Sequence, residues 1–169
     1  MRIRALGLAT ILLAAAPLLA EQPPPVLRIP GTPDGPLDPA SLLVGRDERD
    51  VRIEDVQGNV TIYHGTPLLA VLERNGLDLR TMAGERKSAA QVVVATARDG
   101  YSVVFSVGEL RMQRGNPKVF LVSETSTGPL PENEGTVRLI VYGDTARSAY
   151  GLARIELRVI AENPSAARK

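Results

Sequence analysis

His64 is the only histidine in the chain, and there is no cysteine at all, so the side chains able to do chemistry are few. As the one group that titrates near neutrality without perturbation, His64 is the sole candidate general base. It stands in "YHGTP", just ahead of a predicted helix, where a surface or capping role competes with a catalytic one. Lack of cysteine excludes disulfides, thiol nucleophiles and thiolate metal sites, and with a single histidine it also removes the usual zinc ligand sets. A metal site would have to be built from oxygen ligands and His64, and none is expected. Glu54 and Asp55 form an adjacent carboxylate pair. Neighbours on a strand point to opposite faces, which argues against joint acid–base work. With no Ser-His-Asp arrangement and no glycine-rich phosphate loop apparent, a metal-free hydrolase built on His64 lacks a nucleophile, and the catalytic residues stay unassigned.

The stronger candidates are for binding. Arg147 and Tyr150 lie in "ARSAYG", a loop leading into the last predicted strand. An arginine there can grip an anion through two parallel N–H bonds, with a solvated arginine as the alternative. Tyr101, beside the Asp99-Gly100 turn, can stack on a ligand or cover the sheet. Arg147, Tyr150 and Tyr101 are the expected ligand contacts, whereas Arg98, Arg111 and Arg114 read as ordinary mixed-charge surface.

These residues must be held by a framework that the rest of the sequence describes. Apolar residues make up 44% and charged residues 23%, as in a globular domain, but two Phe and no Trp leave Val, Leu and Ile to build the interior. That bias favours strands. Twenty basic residues against nineteen acidic ones, interspersed, leave no electrostatic footprint for nucleic acid or anionic lipid.

Along the chain, "VLRI" (26–29) predicts a first strand, ended by turn residues in "PGTPDGP". In "DPASLLVG", Asp38 is a candidate N-cap, Pro39 a first helical residue and Gly45 a stop. "DVRIEDVQGNVTIYHG" reads as a hairpin turning at "QGN". A helix follows, with Thr66 as cap, Pro67 first, Leu68, Leu69, Val71 and Leu72 as its apolar side and Gly76 as its end. "RTMAGERKSA" (80–89) reads as an exposed loop. "QVVVATA" and "YSVVFS" form a second hairpin through "RDG", and Ser106 with Glu109 forms a Ser-x-x-Glu capping box that starts a short helix where the strand ends. At least three more strands follow in "KVFLVSE", "TVRLIVYG" and "LARIELRVI". The fold class is therefore α+β, with a mixed or mainly antiparallel sheet and short helices at strand ends.

The first twenty residues put Arg2 and Arg4 ahead of an apolar run, with Pro17 and then Ala20 closing it. This pattern predicts a secretory signal peptide over 1–20, cleaved after Ala20. A Pro-rich spacer (21–25), a single domain (26–160) and a flexible tail (161–169) complete the organisation. The mature protein is expected to be periplasmic or secreted, without stable membrane insertion.

The stretches "YHGTPLLAVLERNGL", "ARDGYSVVFSVGEL", "GPLPENEGTVRLIVYGD" and "ARSAYGLARIEL", in that order, resemble the molybdopterin-binding domain of the sulfite oxidase family, particularly its small exported members. The resemblance implies a sulfite-oxidase-like fold. In the family's enzymes, molybdenum is held by one protein cysteine and by the dithiolene of a pterin cofactor. The corresponding strand here is "VRIED", where Ile53, Glu54 and Asp55 occupy the neighbourhood and no cysteine does. The long loop that should follow is reduced to "QGN". The family's Arg-x-Val-Lys-Trp-Leu pattern is matched by Arg147 to Leu152, with Tyr150 in place of the lysine. The resemblance thus implies a fold kept without the metal ligand. The expectation is a non-catalytic domain that binds a small anionic ligand or a periplasmic protein partner, with no cofactor. The alternative is a molybdopterin-dependent oxidoreductase, or a pterin-binding accessory protein, acting without a cysteine–metal bond.

Overall fold

The structure is a computed structural model, and it describes residues 22–81, 84, 86 and 89–160. The predicted signal peptide and the predicted flexible tail lie outside the described residues. Of the stretch expected to be loop, Gly84 and Arg86 are helical, so polar composition there does not mean absence of helix.

Ten strands are found among the described residues: β1 (Val26–Arg28), β2 (Gly35–Pro36), β3 (Arg49–Glu54), β4 (Val60–Pro67), β5 (Gln91–Ala97), β6 (Ser102–Ser106), β7 (Val119–Thr125), β8 (Gly128–Pro129), β9 (Arg138–Val141) and β10 (Leu152–Val159). They form two sheets. The first runs β2-β1-β10-β5-β6, and the second runs β3-β4-β7, with β8 and β9 both paired to the far side of β7. Only β1 with β10 is parallel; every other named pair is antiparallel. The class is α+β, as the sequence predicts.

Strand β5 shows why the first sheet forms: its residues alternate between buried and half-buried, sending Val93, Ala95 and Ala97 into the core. β7 behaves differently. Its run from Val119 to Ser123 is buried throughout, as befits a strand covered on both faces. Val119 and Leu121 join the main core between the sheets, while Phe120 and Val122 join a second cluster with Val51, Tyr63 and Ile140 on the opposite face. β4 can approach β7 this closely only because residue 65 is glycine: a Cβ there would lie 2.1 Å from the Leu121 carbonyl oxygen.

Two short helices, α1 (Leu68–Arg74) and α2 (Val107–Met112), complete the main core through Leu68, Leu69, Val71, Leu72, Val107 and Leu110. The caps differ in part from expectation. α1 begins at Leu68, with Pro67 ahead of it, and the Thr66 hydroxyl donates to the Leu42 carbonyl rather than capping the helix. Thr66 is fully buried, so its hydroxyl must find a partner in the core, and Leu42 supplies it. At α2, Ser106 Oγ accepts from the Glu109 N–H at 2.9 Å as predicted, but Glu109 does not close the box; its carboxylate turns to Arg147. The turn at Pro39–Leu43 is a 3-10 helix, with Asp38 accepting from the Ala40 N–H. Residues 22–25 take no regular element but are tied to the domain through Gln22 to Glu132 and Arg98 to Pro23.

Candidate functional site

Arg147 ends a 3-10 turn, Thr145–Arg147, that Asp144 caps. Its Nε lies 2.8 Å from Asp144 Oδ2 and its Nη1 lies 3.0 Å from Glu109 Oε1. The guanidinium carbon also sits 5.1 Å from the centre of the Phe105 ring. The hydrogen bonds to Asp144 and Glu109 hold the guanidinium more firmly protonated than usual, and the bond from Arg147 in turn lowers the Asp144 carboxyl. Arg147 is thus a strut between α2 and the turn, its charge already met by two carboxylates. Tyr101 reaches the same turn, where its hydroxyl donates to the Ala146 carbonyl. Tyr150 goes elsewhere: its half-exposed ring covers the guanidinium of Arg138, 4.1 Å from the ring centre. The structure therefore brings Tyr101 and Arg147 to one turn and gives Tyr150 to another arginine.

Arg138 is the candidate binding side chain that sequence reasoning missed. It opens β9 opposite Val122 and lies on the face of the sheet that carries Tyr63. Its Nη1 donates to Glu134 Oε1 at 2.9 Å and to the Tyr63 hydroxyl at 2.6 Å, and Tyr63 in turn donates to Glu134 at 3.2 Å. Arg138 and Glu134 side chains are only 9% and 10% exposed, so this is a buried ion pair with a tyrosine bridging it. Burial raises the Tyr63 pKa; the Arg138 charge opposes that and Glu134 adds to it, so the phenol stays protonated and able to donate. Arg138 Nε and Glu134 Oε2 have no hydrogen-bond partner. Both atoms are closed off from solvent, and such orphaned atoms in a buried charged group are costly.

A glycine contact assembles this network. Gly135, at φ 77°, turns the chain after Glu134, and a Cβ on it would lie 2.6 Å from Gly151 Cα. Gly151 N–H donates to the Glu134 carbonyl at 2.7 Å. Two chain reversals are thereby held together, with Glu134 and Tyr150 on either side of Arg138. The sequence signal was present as Glu134 and Arg138 four residues apart around Gly135, but nothing in a one-dimensional pattern says that a glycine from 151 meets it.

The second sheet curls so that its edge strand β3 and strand β9 border one groove of about 270 Å³. Arg52, Ile53 and Glu54 line one side, Tyr142, Thr145 and Ser148 the other, and Arg138 contributes to its wall. Ser148 is fixed by accepting from the Val141 N–H at 2.9 Å. This volume falls just below the roughly 300–1,000 Å³ of pockets for drug-sized ligands, and suits a smaller anion or a few atoms of a larger molecule.

The remaining candidates resolve into local roles. His64 Nδ1 lies 2.8 Å from Asp50 Oδ1 across the β3–β4 ladder, which makes it one half of an exposed cross-strand pair. Asp55 accepts from the Asn59 side chain, from the Asn59 N–H and from the Gln57 N–H, bonds that lower its carboxyl and close the hairpin turn. Glu54 meanwhile lines the groove, so the adjacent carboxylates part company as the alternation of a strand requires. Arg98 bonds the Pro23 carbonyl and Arg114 pairs with Glu73 at 2.6 Å. Among the described residues, no group of three or more His, Cys, Asp or Glu is placed to hold a metal.

The groove tests the cofactor that the resemblance implies. Ile53 and Glu54, on the strand that would carry the ligand, border it, but the chain has no thiolate to offer. A soft metal held through sulfur does not fit this donor set of guanidinium, hydroxyl and carboxylate. Comparison of the chain with protein-family models and with curated proteins returns no match.

Proposed function

We propose that this chain is an exported sulfite-oxidase-like domain that works as a non-catalytic binding module, taking a small anionic ligand in the groove between β3 and β9. The observation that carries this reading is Arg138: a nearly buried cationic side chain that lines the groove. Its Nη1 serves both Glu134 and the Tyr63 hydroxyl, out of the five N–H donors that a guanidinium carries. Ser148 and Thr145 add hydroxyls at the same groove. Arg147 takes a supporting role in this reading, since its carboxylate partners leave it little to give an incoming anion.

The test is titration with inorganic sulfate, read on the guanidinium N–H signals by nuclear magnetic resonance. Saturable movement of the Arg138 signal, with the Arg147 signal unmoved, is expected; no saturation at Arg138 overturns the reading. Metal analysis of protein purified from its own compartment tests the non-catalytic part. Stoichiometric molybdenum with pterin would replace this reading by that of an oxidoreductase or pterin-binding accessory.

A further inference from the structure

Among the described residues, strand β3 ends its sheet and no strand pairs with its outer edge. The hairpin turn fixes which main-chain groups point that way. Asp55 N–H donates to the Asn59 carbonyl at 2.9 Å, so residue 55 is a bonded position of the ladder. In an antiparallel pair, bonded and non-bonded positions alternate. Ile53 and Val51 therefore bond β4, and Arg52 and Glu54 direct their N–H and C=O groups outward. Arg52 and Glu54 are two of the residues that line the groove. The groove thus combines a free strand edge with Arg138, a cationic side chain that is 9% exposed and lines the groove.

We propose that the groove takes an extended peptide segment, which adds a strand to β3 and sets a carboxylate against Arg138. The proposal rests on the anion-binding reading above and names what carries the anion. A free edge supplies main-chain pairing for any extended chain, and the guanidinium supplies selection for a carboxylate. The half-exposed ring of Tyr142, on the far wall, offers an apolar surface to the segment's side chains. The charged residues Arg49, Asp50, Arg52 and Glu54 along β3 discourage indiscriminate edge pairing.

Carboxylate can come from an acidic side chain or from a chain terminus, and two synthetic probes separate these sources. One is acetyl-Thr-Val-Thr-Glu-Thr amide; the other is acetyl-Thr-Val-Thr-Val with a free terminal carboxylate. Each is titrated calorimetrically into the full chain, in competition with inorganic sulfate. At least one is expected to bind and to displace sulfate, and its neutral counterpart, with Gln for Glu or an amidated end, is expected to bind about tenfold more weakly or worse. N-methylating one alternate set of peptide amides should abolish binding, while methylating the other set should leave it, because only every second amide faces β3. Hydrogen exchange of the Arg52 and Glu54 amides should slow in the complex, with Ile53 unchanged. Equal binding of charged and neutral probes, or equal loss from both methylated sets, overturns the proposal. If sulfate binds at Arg138 and neither peptide does, strand addition falls and the anion site stands; if nothing binds, both fall.

Discussion

Tyr150 lies face-on to Arg138, with the guanidinium carbon 4.1 Å from its ring centre, while Tyr63 flanks the same guanidinium at 4.9 Å. The ring of a residue expected to contact ligand is the outer cover of a buried cation. Such a contact contributes on the order of 0.5–2 kcal/mol, more as water is excluded. Tyr150→Ala is therefore expected to destabilise the domain by about 1 kcal/mol, and Tyr150→Phe to leave it nearly unchanged, since the ring and not the hydroxyl makes the contact. Urea denaturation of the three proteins checks this.

The Glu134–Arg138 pair gives a sharper prediction. Removing one partner strands the other charge in the interior, so Glu134→Gln and Arg138→Met should each cost about 3–5 kcal/mol. Replacing both by Met removes two buried charges together and should cost much less than the sum. A double-mutant cycle in urea tells these cases apart; additive losses would mean that the pair is not coupled.

At α2, the cap rests on one hydroxyl. Ser106→Ala should lower stability by about 0.5–2 kcal/mol, and Ser106→Asp, which keeps an acceptor, should recover most of it. Glu109→Gln is expected to act separately, through the Arg147 strut and not through the cap, because its carboxylate bonds Arg147 Nη1 at 3.0 Å. Thermal melts of the single and double variants distinguish the two sites.

Glu156 contributes to the acid limb of stability. Burial by itself would raise its carboxyl, but the hydrogen bond from Arg158, the charges of Arg154 and Arg158 and the bond from Arg28 outweigh burial and hold it below the ordinary value of 4.5. A carboxyl depressed in the folded state contributes stability that is complete above its unfolded pKa and is lost as pH falls through the folded one. Glu156→Gln should therefore lower the melting temperature at neutral pH, and the gap from the parent protein should close progressively below about pH 4.5. A gap that stays constant from pH 7 to pH 3 would assign the loss to packing instead.

The proposed export makes a prediction at the first residue. Cleavage after Ala20 leaves a mature chain beginning at Glu21, and N-terminal sequencing of protein recovered from the periplasm or medium should find it. Recovery of full-length chain with Met1 in the membrane fraction would identify an anchor in place of a signal.

Much of the scaffold was legible because it depends on neighbours in sequence. The hairpins at "DVQGN" and "ARDGY", the Asp38 turn, the Ser106 cap and the apolar side of α1 are settled within a few residues, by turn chemistry, side-chain capping and periodicity. Where competition came from far along the chain, local reading failed. Thr66 was drawn to Leu42 and Glu109 to Arg147, because a buried hydroxyl or a nearby guanidinium outbids a local cap. The sequence by itself determined the α+β class, the absence of a thiolate metal centre and the near-balance of charge. Tertiary structure decided which arginine faces the groove. Arg147 and Arg138 are chemically the same; their difference is made by Asp144 and Glu109 on one side, and by the contact of Gly135 with Gly151 on the other. Charge and spacing are properties of a chain, whereas burial and partnership exist only after distant segments have met.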